Sequence, residues 1–515
     1  MSGFFTIGGM ERGLKRGFSI DDLPEVFLSD STISRKVGNA VKAGGVRKVG
    51  PRLYTRNMSE PLEKVARRNW QRIAAGYFPG AVLVDRSAFA AKPGDDGSLF
   101  LDIGPGRVRR EALKLPGLTL RPRSGPGPVE GDMPFMDGLY FSGPARKFLD
   151  NMSPSRPRNG DVSRTLSRGE IEQELARMVS LRGTDSLNDL RDDAREVAVV
   201  LGAETEMKVL EDLIGAVLGT REATLATAVA RAHGRGDGFD PRRSELFDEL
   251  QAHLLEVGSL PERPEQSNEG KALPFIESYF SNYIEGTEFK LWEAEGIVFE
   301  KIVPPTREVD AHDVLGTYEL VHDPKQRARV PRDAPDLIDI LRSHHALMLA
   351  RRPAVLPGSF KERANQAGGT PFVHPDLVVG TLVEGYRFYE ALPPGLARAI
   401  FMMFLVAEVH PFTDGNGRVA RVLMNAELSA AGLQRIVIPL PYRGDYLRGL
   451  RALSRYARPQ PLVRVLDYAQ QYAAEIDWSD LPRAEKMLAT TNAFLTEDEA
   501  EDLGVRLVLP SSRRG

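Results

Sequence analysis

The chain has 515 residues, too many for one hydrophobic core, so roughly two to four domains are expected. Hydrophobic residues at 42% and charged residues at 27% exclude wholesale disorder and a fibrous protein, and 68 basic against 71 acidic side chains exclude a uniformly polycationic molecule. The absence of cysteine removes disulfides, thiolate nucleophiles and zinc–thiolate sites together.

The N-terminal stretch MSGFFTIGGMERG lacks the charged flank and apolar run of a secretory signal. The longest apolar run, Ala399 to Ala407, stops at Glu408, well short of the ~20 residues of a membrane helix. No membrane partner is expected, and the chain reads as cytoplasmic. Between Ser31 and Arg56 there are seven basic residues and no acidic one. Ser31 to Val46 reads as a helix, with apolar Ile33, Val37 and Val41 at helical spacing and Gly44-Gly45 as its stop. Arg47 to Arg56 reads as a short basic hairpin. A helix carrying Arg35, Lys36 and Lys42 followed by a basic strand pair is the layout of a winged helix, which makes DNA a candidate partner. The stretch RKVGNAVKAGGVRKVGPRLYT resembles the N-terminal winged-helix domain of abortive-infection (AbiEi-type) antitoxins.

From Pro93 to Gly160, 21 residues are Gly or Pro, which excludes long helices and predicts short strands joined by tight turns. Strand candidates are Gly80 to Val84 and Leu99 to Ile103. Arg168 to Thr220 is helical in pattern, with Leu175, Met178 and Val179, then Val197, Val200 and Leu201, then Leu210, Leu213, Ile214 and Val217 on apolar faces. Helices dominate from Pro241 onward. One begins near Pro274 and carries Ser281 and Glu285, four apart on one face, before Gly286 ends it. Further on, Pro357 to Thr370 reads as a hairpin whose tip holds Ala367, Gly368, Gly369 and Thr370.

The stretch that carries chemistry runs from His410 to Arg421, HPFTDGNGRVAR. Apolar Ile400 to Val409 forms a buried helix ending near Pro411, which sets the His410 imidazole at a helix terminus. Gly415-Asn416-Gly417 lets consecutive amide N–H groups converge at the start of the next helix, a concavity for phosphate oxygens. Arg418 and Arg421 lie on one face of its first turn, beside the same anion. Asp414 offers the hard oxygen that Mg²⁺ takes when protein and phosphates hold it jointly. His410 has the ordinary pKa best suited to removing a proton near neutrality.

This stretch is similar to the Fic family signature HPFx(D/E)GNGRxxR, matched at every fixed position. The resemblance implies transfer of AMP from ATP to a Ser, Thr or Tyr hydroxyl of a target protein. His410 is then the general base and Asp414 the Mg²⁺ ligand. Gly415, Asn416 and Gly417 become the anion hole over the α-phosphate, and Arg418 and Arg421 hold the β- and γ-phosphates. The hairpin at 357–370 resembles the Fic flap, on which a target segment adds as an extra strand, and Tyr446 falls in the region that lines the nucleoside pocket in relatives. Ser281 to Gly286 resembles the inhibitory motif (S/T)xxxE(G/N), which implies that Glu285 pairs with Arg421 and displaces the γ-phosphate.

The expectation is therefore a mainly α, multidomain protein. It comprises a winged helix over 1–72, an α+β middle region over 73–235, an all-α Fic domain with a β-hairpin flap over 240–485, and a tail over 486–515. Its partners are a hydroxyl-bearing protein target and, as open alternatives, DNA and a second copy of the chain. Two other functions stay open: removal of AMP at the same site, and a DNA-binding regulator or antitoxin with the Fic domain as its effector. His233, His253, His312, His322, His344, His345 and His374 form no metal-ligand spacing.

Overall fold

The computed structural model describes residues 19–106, 111–157, 162–222, 224–258, 260–266, 270–367 and 369–513. Among the described residues the chain is mainly helical with three small sheets, and it divides into two compact units. The first comprises Met1–Leu175 with Thr184–Gly234, the second Ala176–Gly183 with Arg235–Gly515.

The first unit begins with β1 (Val26–Leu28), α1 (Ser34–Lys42), β2 (Arg47–Gly50) and β3 (Leu53–Thr55), an antiparallel sheet in the order β1-β3-β2. The expected helix starts three residues late because Asp30 turns the chain first, its carboxylate accepting from the Thr32 and Ile33 amides. Only Val37 of α1 is buried, and Gly44 at φ 72° closes the helix. Next come α2 (Leu62–Arg68) and α3 (Trp70–Tyr77), β4 (Val82–Leu83), α4 (Arg86–Ala90), β5 (Ser98–Asp102), β6 (Leu113–Leu115), β7 (Leu118–Arg123), β8 (Met133–Pro134), β9 (Tyr140–Phe141) and α5 (Pro144–Leu149). The strands form a mixed sheet in the order β6-β7-β5-β4-β9-β8.

Val26, Val49 and Leu53 of the first sheet share one core with Val65, Trp70 and Ile73 of α2 and α3 and with Leu83, Leu99, Leu101 and Leu120 of the second sheet. The boundary expected at residue 72 falls inside α3. Strands of three or four residues cannot bury a core alone, so the N-terminal sheet shares its neighbour's. Four helices follow: α6 (Arg168–Arg182), whose residues from Ala176 belong to the second unit, α7 (Asp185–Leu201), α8 (Glu204–Val217) and α9 (Ala228–Gly234). Helix α7 turns a different face inward from the one its valines suggest. It buries Leu187, Leu190, Ala194 and Ala198, whereas Val200 is 62% exposed.

The second unit holds α10 (Pro241–Val257), α11 (Ala272–Ile284), α12 (Leu291–Phe299), α13 (Glu308–His322), α14 (Pro324–Arg327) and α15 (Ala334–Met348). The hairpin β10 (Gln366–Ala367) and β11 (Thr370–Pro371) precedes α16 (Val378–Glu390), α17 (Leu396–Val409) and α18 (Asn416–Ala430). The chain closes with α19 (Arg443–Tyr456), α20 (Gln460–Ala474), α21 (Leu481–Thr490) and α22 (Glu497–Asp502). Helix α17 is apolar all round and correspondingly buried, the central rod against which α18 folds back. The region beyond 486 contributes Leu488 and Ala493 to the core that holds Phe275, Phe280, Tyr472 and Trp478. Among the described residues no helix is long and apolar enough to cross a membrane.

Candidate active site

The α17–α18 corner is held by side chains acting on backbone. Helix α17 stops at His410, whose left-handed φ of 54° turns the chain while its N–H still donates to Val406 O at 3.0 Å. Asn416 fastens the returning loop: its Oδ1 accepts from the Phe412 amide at 2.8 Å and its Nδ2 donates to Phe412 O at 2.9 Å. From α15, His345 accepts the Gly358 amide at Nδ1 and faces Asp414 O with Nε2 at 3.1 Å, with its ring stacked 3.8 Å from that of Phe412. The partners fix a neutral tautomer with the proton on Nε2, and burial pushes this imidazole down to about 4. Gly415, at φ 77°, caps the start of α18, and its amide donates to Asp414 Oδ1 at 2.6 Å.

His410 stands at that corner between two contacts. Nδ1 lies 3.3 Å from Ala407 O, which takes its proton, and the ring stacks on Phe372 at 3.7 Å with planes 2° apart. Burial, helped by the nearby Lys361 charge, pushes His410 down to about 4, so at neutral pH Nε2 presents a lone pair. Lys361, 4% exposed, donates to Asn365 Oδ1 at 2.7 Å, and burial brings its ammonium down to about 7. Its backbone amide donates to Pro411 O, and Asn365 Nδ2 donates to Phe412 O, so the base of the hairpin is sewn to the histidine loop.

The arginines are already occupied. Arg421 donates from Nε to Ser281 Oγ at 2.9 Å and from Nη2 to both Ser281 O and Glu285 Oε1 at 2.8 Å. The Glu285 carboxylate lies directly over Gly417, where an added methyl group would collide with Oε1. Burial opposes its charge, but the Arg421 guanidinium and its hydrogen bond hold the carboxyl below the usual range. Arg418 is 2% exposed and donates to Asp313 Oδ2 at 2.6 Å and Asn282 Oδ1 at 3.2 Å. Arg352 bridges Asp313 Oδ2 at 2.9 Å and Asp414 Oδ2 at 2.8 Å. Asp414 is part-exposed and, despite burial, held charged by Arg418 and Arg352, so it fits a metal shared with substrate phosphates.

In the hairpin, Gln366 pairs with Pro371 and Ala367 with Thr370; Gly368 lies outside the described residues. Gly369 and Ala367 are exposed at the tip. Arg243 Nη2 donates to Pro371 O, Arg455 Nε donates to Thr370 Oγ1, and Arg243 Nε meets buried Glu408 at 3.1 Å. Tyr446 is buried beside Arg421, with its hydroxyl donating to Met403 Sδ. The structure thus gathers Ser281, Glu285, His410, Asp414, Gly417, Arg418 and Arg421 at one corner, whereas Arg35, Lys36 and Lys42 are exposed on α1 in the first unit. Sequence reading missed Asp313, Arg352, His345, Lys361 and Phe372. Each lies outside the signature, and only His345 carried a residue type that invites attention.

Residues 335–428, from α15 to α18, match the Fic/DOC family model. Protein adenylyltransferase Fic of Drosophila willistoni is 28% identical over 282 residues, covering 53% of this chain and 54% of that protein. Protein adenylyltransferase Fic of Nematostella vectensis is 28% identical over 238 residues, covering 44% and 52%. The chain spans about half the length of the curated relatives it matches. A solved Fic domain containing signaling protein from Bacteroides thetaiotaomicron aligns with a TM-score of 0.35 at 19% identity, over 46% of this chain and 94% of that one.

Proposed function

We propose that the chain transfers AMP from ATP to a Ser, Thr or Tyr hydroxyl of a target protein, and that Glu285 restrains this transfer in cis. The observation that carries the reading is the Glu285 carboxylate on Arg421 and over Gly417, an internal anion at the mouth of α18 beside a neutral His410. An α-phosphate at the amides of Gly415, Asn416 and Gly417, the first of which must leave Asp414 Oδ1, would meet donors at a helix N-terminus as charge develops. His410 Nε2 takes the target hydroxyl's proton as its oxygen bonds to the α-phosphorus, the bond from that phosphorus to the bridging oxygen breaks, and pyrophosphate leaves. Arg421, once released by Glu285, holds the terminal phosphates. Asp414 would hold Mg²⁺ after parting from Arg352, and the bound ion supplies charge neutralisation on the phosphates. The hairpin offers its edge to an extended target segment.

The test uses ATP labelled at either end. Label from the α-position should enter protein and label from the γ-position should not; γ-label transfer would mean phosphorylation and overturn the reading. The Glu285 charge also acts electrostatically on His410, and a carboxylate near that imidazole can orient a water for removal of AMP. Incubating a pre-AMPylated target with wild-type protein tests that reverse reaction. A DNA-binding role has its own support in Arg35, Lys36 and Lys42, exposed on α1 next to the β2–β3 hairpin. A gel shift that weakens when Arg35 and Lys36 are neutralised tests it. An ATP donor and a chain without cysteine suit the cytoplasm.

A further inference from the structure

The six-stranded sheet of the first unit has two chemically different faces. Strand alternation sends Leu99 and Leu101 of β5 and Leu118 and Leu120 of β7 into the main core, while Phe100 joins Val82, Val84 and Tyr140 on the other side. Arg121 and Arg123 follow the same alternation and stand on that second face. There the sheet forms one wall of a cleft of about 610 Å³, within the ~300–1,000 Å³ range of small-ligand sites.

Among the described residues the charges of the cleft do not balance. Arg121, which also donates to Ser98 Oγ at 2.9 Å, Arg123, Arg156 and Arg164 line it, and among those residues Asp85 is the one lining carboxylate. Asp85 is already shared between Arg123 at 3.3 Å and Arg164 at 3.8 Å. Burial pushes its carboxyl up to about 6 against the pull of those cations, and its φ of 54° is a strained conformation of the kind that clusters at functional sites. Arg123 also pairs with Asp150, but Arg156 is exposed and Arg164 is 45% exposed, leaving cationic surface in a concave site. All four cations are arginines, whose planar forks match phosphate oxygens. Phe100, Pro122 and Val162 give the same cleft an apolar wall, with the Arg121 guanidinium 5.9 Å from the Phe100 ring centre. An acidic peptide would use the forks but not that wall.

We propose that this cleft binds a nucleoside monophosphate, with Arg156 and Arg164 on the phosphate and the base against Phe100 and Pro122. The site lies in a different unit from the Fic/DOC corner and does not depend on the function proposed there. The test is calorimetric titration of the full chain with AMP and with GMP in the presence of EDTA. One nucleotide should bind in the cleft per chain, at least about tenfold more weakly after Arg156→Glu with Arg164→Glu. Arg156 is exposed, so Arg156→Glu alone should weaken binding without altering melting, whereas Arg164 also balances buried Asp85; Arg164→Gln, which only removes charge, should weaken binding in the same direction. The proposal is overturned if neither nucleotide binds by about 1 mM. It is equally overturned if the arginine substitutions leave binding unchanged, or if adenosine or inorganic phosphate alone binds as well. Preference for pentathymidylate or pentaglutamate over the mononucleotides would also overturn it, in favour of a polymer.

Discussion

The two units both gather arginines around carboxylates, with opposite balance. At the α17–α18 corner Arg421 meets Glu285, Arg418 meets Asp313, and Arg352 meets Asp313 and Asp414, so every guanidinium has an internal anion. Among the described residues of the sheet cleft, Arg123 meets Asp85 and Asp150 and Arg164 meets Asp85, while Arg156 is exposed. Neutralised cations mark a site held closed by its own chain, and surplus cations mark one that awaits an anion. Arg418, Arg421 and Asp313 are buried, where losing a partner leaves a costly unpaired charge, while Glu285 and Asp414 stay part-exposed.

Removing the base tests the corner most severely. In a Glu285→Gly background, His410→Ala should lower AMP transfer by about 10²- to 10⁴-fold while nucleotide still binds. Retained transfer would assign the proton to another group.

Acid should weaken the fold through the same buried imidazoles. His344, His345 and His410 are each pushed by burial to about 4, below the ~6.5 of the unfolded chain. As pH falls through about 6.5 the unfolded state takes protons that the native state refuses, so stability is full above that pH and declines toward pH 4. Glu427 and Asp85, raised by burial to about 7 and about 6, act in the opposite sense over the same range, so the imidazole contribution is read by difference: the drop in denaturation midpoint from pH 7.5 to pH 5 should be smaller for His344→Gln than for the wild type, and equal drops would contradict the burial argument.

Arg352 sharpens the comparison because it occupies the cation position at Asp414. Arg352→Gln should tighten Mn²⁺ binding, read by electron paramagnetic resonance without nucleotide, by roughly three- to tenfold. Weaker binding would mean that Arg352 holds Asp414 in its ligating pose. The smallest effect belongs to Phe372, which holds the His410 ring from the hairpin. Phe372→Leu should lower kcat by about fivefold with little change in KM for ATP, and an unaltered kcat would remove its positioning role.

Legibility followed the distance along the chain over which each contact forms. The His410 to Arg421 signature could be read because its parts are consecutive, and Glu285 because Ser281 and Gly286 frame it. Arg418 looked like a phosphate ligand, but in the fold it rests on Asp313, 105 positions away, which no local pattern reveals. Phe372 and Lys361 meet His410 only after the hairpin folds back across α17. In the first unit, Val200 suggested an inward face that the smaller Ala194 and Ala198 take instead, because close packing accepts small side chains as readily as large ones.

The restraint by Glu285 is tested most directly by measuring AMP incorporation from α-labelled ATP for wild-type protein and for Glu285→Gly under identical conditions. Freed from its internal anion while Ser281 still orients it, Arg421 should raise incorporation by about tenfold or more. Equal incorporation by the two proteins would contradict the account.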